Sequence, residues 1–339
     1  RPGPSVWGVA SPGAAFFDLD RTLVRGASGR VFSQTMHAEG VRRSLPVEGV
    51  LFGIFETFGE NLPSMAVARQ AAVLARGKDP HDVARVAQAA LPGLEAMLQP
   101  RSRSLIEHHR AAGRKVVLAT TTPRDLVEPF ARHLGLDDVV ATRYGIGDDG
   151  KYDGTIDGHF VWSTGKLAAV REWCEREGVN LSESYAYSDS VFDTPLLSAV
   201  GHPVAVNPDL SMRAVATARR WPIEYLDVAP GVARVPGVGG EAQRLLLKLV
   251  RPAFFPYARW DIEGECRIPP VGPVILAANH RSYFDVAAVA VLLAKVGRSV
   301  RFLGKKELFD APVVGQIVKA LGGIRVDRGT GSDEPLDEA

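Results

Sequence analysis

The run AAFFDLDRTL at residues 14–23 delivers two carboxylates, Asp18 and Asp20, at the end of four apolar residues. Like charges at the end of a buried strand repel each other and resist desolvation, so something must compensate. Partners of the right type lie far along the chain. Thr120 ends the apolar run KVVLAT, Lys166 opens STGKLAAV, and Asp189 and Asp193 lie in SDSVFD. The chemistry that uses such a set is phosphoryl transfer. A carboxylate attacks phosphorus and forms an aspartyl-phosphate. A second carboxylate protonates the leaving oxygen and then deprotonates water. A hydroxyl and a lysine hold the phosphoryl oxygens. A hard cation, Mg²⁺ by preference, bridges carboxylates and phosphate and relieves the repulsion.

The elements that must position these groups follow from the hydrophobic pattern. Residues 14–19, 115–120, 184–189 and 202–208 read as strands, and the last three each run into a helical pattern. Strands alternating with helices make a parallel sheet covered on both faces. Ligands of such sheets bind at the carboxyl ends of the strands, where Asp18, Asp20, Thr120 and Asp189 lie. Residues 28–98 read as helical, with MAVARQAAVLARG as an example. RYGIGDDGKYDGTIDG reads as a hairpin turning at Asp149-Gly150. The expected first domain, residues 12–228, is therefore a doubly wound α/β sheet with a helical cap inserted at about 28–98.

This pattern resembles the haloacid dehalogenase-like superfamily. DLDRT matches its D-x-D-x-T motif, Thr120 its second motif, Lys166 its third and SDSVFD its fourth. A helical insertion just after the first motif resembles the phosphoserine-phosphatase-like branch. The resemblance implies Asp18 as nucleophile, Asp20 as general acid/base, and Thr120 and Lys166 as phosphate binders. It implies Mg²⁺ held by Asp18, the Asp20 carbonyl and Asp189, supported by Asp193. Three positions depart from the family. Ser188-Asp189 replaces its usual Gly-Asp, Phe192 replaces its frequent Asn, and ATTTP lacks the Ser-Gly-Gly of true phosphoserine phosphatases.

Residues 229–240, APGVARVPGVGG, read as a linker, and 241–339 as a second domain. Here PVILAANH (273–280) reads as a strand running into an apolar helix. In NHRSYFD, His280 and Asp285 flank a strand-to-helix turn, where the carboxylate can orient the imidazole for proton removal from a hydroxyl. NHRSYFD resembles the N-H-x₄-D motif of the glycerol-phosphate and lysophosphatidate acyltransferases. GKKELF (304–309) and GGIRVDR (322–328) resemble segments that follow it. The resemblance implies His280 as base, Asp285 as its orienter and Arg328 as the contact to the acceptor's phosphate. It implies an acyl-CoA or acyl-carrier-protein thioester as donor and a lysophospholipid as acceptor. The family's third block, Glu-Gly-Thr-Arg, is absent before Ala339, so the expected domain is the front part of an acyltransferase.

The bulk numbers bound the rest. The 339 residues carry a formal charge of +1 and are 46% hydrophobic, ordinary values for globular domains. Residues 241–328 hold 14 Lys and Arg against 8 Asp and Glu, a sign that suits an anionic surface. RLLLKLVRPAFFPYARW interleaves basic, aliphatic and aromatic residues, as a helix lying in a bilayer interface does. No run reaches the ~20 apolar residues of a membrane span. There is no signal-peptide pattern, no metal-ligand spacing around Cys174 and Cys266, and no basic stripe for nucleic acid. The two cysteines read as buried thiols of a reducing compartment. The expectation is a bifunctional phospholipid-metabolism enzyme, cytoplasmic and peripheral on the inner face of the cell membrane. Its phosphomonoester substrate is phosphoserine by the branch resemblance or a lipid phosphate by the fusion. The alternative is a non-catalytic sensor module attached to an acyltransferase.

Overall fold

The computed structural model describes residues 13–41, 62–228, 243, 252–254, 256–264, 267–268, 274–279, 281–282, 284–296, 300–312 and 314–327. The chain divides into two compact units, Arg1–Leu226 and Asp227–Ala339. The expected linker at 229–240 lies outside the described residues.

The first unit is a seven-stranded sheet. Its strands are β1 (Ala14–Phe17), β2 (Lys115–Pro123), β3 (Asp138–Ile146), β4 (Tyr152–Asp157), β5 (Tyr185–Ser188), β6 (His202–Val206) and β7 (Ile223–Glu224). They lie in the order β4-β3-β2-β1-β5-β6-β7, all parallel except the β3–β4 hairpin. Gly150, with φ 75°, lies in the hairpin turn, where only a residue without Cβ sits cheaply. β1 is the central strand, and its residues are completely buried. Successive side chains point to opposite faces. Ala15 and Phe17 enter the core that holds Phe32 and Val83 of the insertion, whereas Ala14 and Phe16 enter the core beneath Trp173. Each buried Phe contributes about 1.5–3 kcal/mol, so β1 is anchored from both sides.

The helices of this unit are α1 (Ser28–Ala38), α2 (Leu62–Ala75), α3 (Pro80–Ala89), α4 (Leu91–Met97), α5 (Ser102–Ala111), α6 (Arg124–His133), α7 (Thr164–Glu177), α8 (Thr194–Leu197) and α9 (Leu210–Arg219). The described part of the insertion, α1 to α4, is helical as expected. α3 starts where the Asp79 carboxylate caps the His81 amide and Pro80 takes the first helical position. α9 starts where Asp209 caps Met212, and α7 stops at left-handed Gly178. α5 and β7 were not visible in the hydrophobic pattern. The helix expected over DTPLLSAVG is only one turn long.

In the second unit, α10 (Phe284–Val296) is followed by β8 (Phe302–Lys305), α11 (Lys306–Asp310), α12 (Val314–Ala320) and β9 (Gly323–Val326). β8 and β9 pair in parallel, with Phe302 opposite Gly323. The strand expected at 273–280 is not formed: 274–279 carry no regular structure, and Ile275 is 98% exposed. A strand exists only when paired, and no described strand lies against this run.

Candidate active site

Asp18 follows β1 directly and is held there by its backbone amide, which donates to the Tyr187 carbonyl of β5 at 3.0 Å. Its side chain is 6% exposed. β1 lies between β2 and β5, so Thr120 of β2 and Asp189 after β5 end on either side of it. The structure therefore brings together at one sheet edge the groups that the chain keeps far apart.

Lys166 is the centre of the cluster. It is fully buried, and its Nζ donates to Asp18 Oδ1 at 2.9 Å and to Asp193 Oδ2 at 2.6 Å. A buried ammonium is tolerated only when its charge is matched, and here two buried carboxylates match it. The backbone sets its position. Gly165 sits so tightly that a Cβ would lie 2.2 Å from the Phe160 carbonyl oxygen. Ser163, before α7, has φ 52°, and the Thr121 hydroxyl donates to the Val161 carbonyl at 2.9 Å. These contacts tie the entry of α7 to the end of β2.

Asp189 is 7% exposed. Its Oδ1 accepts from the Thr22 hydroxyl at 3.2 Å, and its own amide donates back to Thr22 Oγ1 at 3.1 Å. Arg21 Nε lies 3.5 Å from its other oxygen, and Arg21 holds φ 61°, a strained backbone conformation typical of functional loops. Asp193, in the 3₁₀ turn Val191–Asp193, also accepts from the Ser188 hydroxyl at 2.6 Å. Ser188 in turn accepts from the Ser190 amide at 3.1 Å, which closes the loop on itself. Thr22 was not singled out from the sequence, though its place in D-x-D-x-T was a signal; Ser188 was noted as a departure from the family's glycine, without its bond to Asp193.

Asp20 points elsewhere. Its Oδ1 accepts the amide of Ser28, the first residue of α1, at 2.7 Å. Loss of hydration raises its pKa above the ordinary carboxylate range, and the Ser28 hydrogen bonds and the Lys166 and Arg21 charges lower it in part. Thr120 is 2% exposed and accepts the Thr122 amide at 3.3 Å, within the irregular end of β2. Phe192 lays its ring against Trp162, centroids 5.0 Å apart, and both rings are partly exposed beside the cluster.

The carboxylates outnumber the described cations. Asp18, Asp189 and Asp193 face Lys166 and Arg21, and Asp193 Oδ1 is buried without a hydrogen-bond partner among the described residues. That donor set fits a hard divalent cation. Among the described residues they do not already converge as a ligand cluster.

In the second unit, Asp285 opens α10. Its Oδ2 accepts the amides of Arg281 at 2.5 Å and Ser282 at 2.8 Å, so the carboxylate folds the turn. His280, Arg328 and Cys266 lie outside the described residues. The parallel pairing of β8 with β9 sets GKKELF beside GGIRV. The Cys174 thiol is buried, with a pKa pushed up to about 11 by burial. Among the described residues no helix is long and apolar enough to cross a membrane.

This edge-on cluster on a parallel sheet with a helical insertion defines a class. Residues 15–198 match the family model of haloacid dehalogenase-like hydrolases, and the chain belongs to that family. Residues 259–338 match the acyltransferase family model. The chain is 39% identical over 214 residues to the inhibition of morphological differentiation protein of Streptomyces azureus, covering 62% of this chain and 77% of that one. It is 36% identical over 227 residues to the phosphoserine phosphatase SerB1 of Mycobacterium tuberculosis, covering 66% of this chain and 73% of that one. A crystal structure of a Bordetella pertussis protein of unknown function matches with a TM-score of 0.56 and 29% identity, covering 64% of this chain and all of that one. The chain thus joins a phosphatase-type hydrolase domain to an acyltransferase domain.

Proposed function

We propose that the first unit hydrolyses a phosphomonoester through an aspartyl-phosphate on Asp18. The observation that carries this reading is the Lys166 ammonium, fully buried and bonded to both Asp18 and Asp193. It sets a positive charge against Asp18 at the central strand's end. An oxygen of Asp18 attacks phosphorus, and the phosphorus–oxygen bond of the leaving group breaks. Asp20, raised in pKa by burial, gives its proton to that leaving oxygen. Asp20 then takes a proton from the water that cleaves the acyl phosphate. Thr120 and Lys166 hold the phosphoryl oxygens. Asp18, Asp189 and the Asp20 carbonyl would hold Mg²⁺, with Asp193 in support. Bound there, the ion would neutralise charge on the phosphoryl group.

The substrate follows from two sources that differ. The name of the mycobacterial relative favours phosphoserine, and the attached acyltransferase favours a lipid phosphate. In the second unit His280 is the base, Asp285 its orienter and Arg328 the phosphate contact. They would transfer acyl from a thioester of coenzyme A or acyl carrier protein to 1-acylglycerol 3-phosphate. Such an acceptor places the protein peripherally on the inner membrane face.

The test is phosphate release with Mg²⁺ from phosphoserine, glycerol 3-phosphate, lysophosphatidate and phosphatidate, with Asp18→Asn and EDTA controls. Release that needs both Asp18 and metal supports the reading, and the best substrate names the class. No release from any of the four assigns the unit a sensing role instead.

A further inference from the structure

A second concavity lies in the first unit at the opposite end of the sheet from Asp18. It is an open surface concavity of about 500 Å³, lined by residues at the starts of β5 and β6 and at the ends of α8 and α9, with Arg219, Arg220 and His202 exposed. Its volume falls in the range of small-molecule sites. β5 runs from Tyr185 in this cavity to Ser188 at the catalytic rim, so the two sites stand roughly 10 Å or more apart by strand rise alone.

The charged side chains of the lining are two arginines. Arg219, Arg220 and His202 border the cavity, and no Asp or Glu does. Neither arginine has an acidic partner among the described residues. Arg219 donates to the Ser198 hydroxyl, and its guanidinium lies 5.1 Å over the Trp221 ring. Those two contacts hold the Arg219 guanidinium in place at the concavity's lining. The His202 ring stacks on Tyr185 at 4.3 Å, which fixes its plane. Arg220 follows α9 with φ 56°, where glycine is the cheap residue. The remaining wall is apolar, with Leu197, Val200 and Trp221. Paired arginines with a hydroxyl and an imidazole recognise phosphate or carboxylate, and the apolar wall accepts a flat body.

We propose that this cavity binds a small anion, a phosphate or carboxylate on a flat or apolar body, independently of the catalytic site. The test uses the whole chain labelled with 5-fluorotryptophan, which carries five tryptophans. The Trp221 signal reports this cavity and the Trp162 signal reports the catalytic rim. Each is assigned by its Trp→Phe variant. The probes are phenylphosphonate, which is not hydrolysed, and benzoate, with benzyl alcohol as the neutral control. Saturable movement of the Trp221 signal by either anion, and not by the alcohol, is expected, and the better anion names the headgroup. Arg219→Ser with Arg220→Ser should weaken that binding about tenfold or more. Arg220→Gly alone relieves the left-handed backbone, so it should keep the fold and still weaken binding. A Trp221 signal unmoved by both anions, or moved equally by the alcohol, overturns the proposal. So does unchanged affinity in the arginine variants, or movement of the Trp162 signal alone.

Discussion

Two carboxylates of this chain sit at the start of helical turns, and they are held in opposite ways. Asp193 is 1% exposed, and its partners Lys166 and Ser188 come from α7 and the end of β5. Asp285 is partly exposed, and it accepts the backbone amides of residues three and four positions before it. The first is positioned by groups from separate elements, whereas the second takes part in folding its own turn. A charge held by tertiary contacts in a dry site is costly to unpair, whereas a local turn exchanges a lost bond for water.

The sharpest use of this difference is functional. Asp18→Asn should lower phosphate release at least about a thousandfold while the fold persists, because it removes the proposed covalent nucleophile. Single-turnover release near the native rate would break the assignment. Next is Lys166→Met, which leaves Asp18 and Asp193 buried without their ammonium. It should cost about 3–5 kcal/mol of stability, read from denaturant unfolding of the first unit. A cost near zero would show that the buried cluster is no more demanding than the exposed turn.

The buried side has a pH signature as well. His109 is fully buried against Phe17 and Tyr187, and burial with the nearby Arg114 and His108 charges lowers its pKa to about 4. The unfolded value is 6.5, so the folded state resists taking the proton that the unfolded state accepts. Stability should therefore fall as pH drops from about 6.5 towards about 4, and His109→Gln should flatten that limb of a melting-temperature profile. An unchanged slope would remove His109 from the account.

Smaller effects sharpen the contrast. Ser188→Gly restores the family's residue and removes one buried hydrogen bond to Asp193, for a loss of about 1 kcal/mol. Asp285→Ala should cost no more than about 1 kcal/mol, the value of a helix-start carboxylate. Hydrogen exchange at the Arg281 and Ser282 amides should quicken while α10 remains. Loss of α10 as a whole would show that the local turn holds more than itself.

The same division explains what was legible in the sequence. Ala14–Phe17 announced a buried strand because burial on two faces demands an unbroken apolar run. Asp18, Lys166, Asp189 and Asp193 were singled out because phosphoryl chemistry needs their types at strand and helix ends, and the fold sets them side by side. Ser188 stood out as a departure from the family's glycine, but its bond to Asp193 did not, since a serine that orients another side chain has no pattern that names its partner. β7 is two residues long and owes its existence to its neighbour β6. Residues 274–279 failed in the other direction. Their apolar pattern met the demand of a strand, but no described strand pairs with them. Composition states what a segment can bury and leaves open what it pairs with.

The place of β1 in the sheet has a consequence in time. The strand that ends at Asp18 is made before the rest of the sheet, yet its hydrogen bonds go to Lys115–Leu118 and Tyr185–Tyr187. At about 5–20 residues per second of synthesis, the chain waits on the order of ten seconds or more before β5 exists. Phe16 and Phe17 have no partner strand until β2 is made and lack the second until β5 is made, and the helices of the insertion emerge in between. The growing chain therefore carries its most apolar strand short of a neighbour for most of the first unit's birth, and a chaperone that shields AAFF should raise the yield of active protein more than one that shields any later strand.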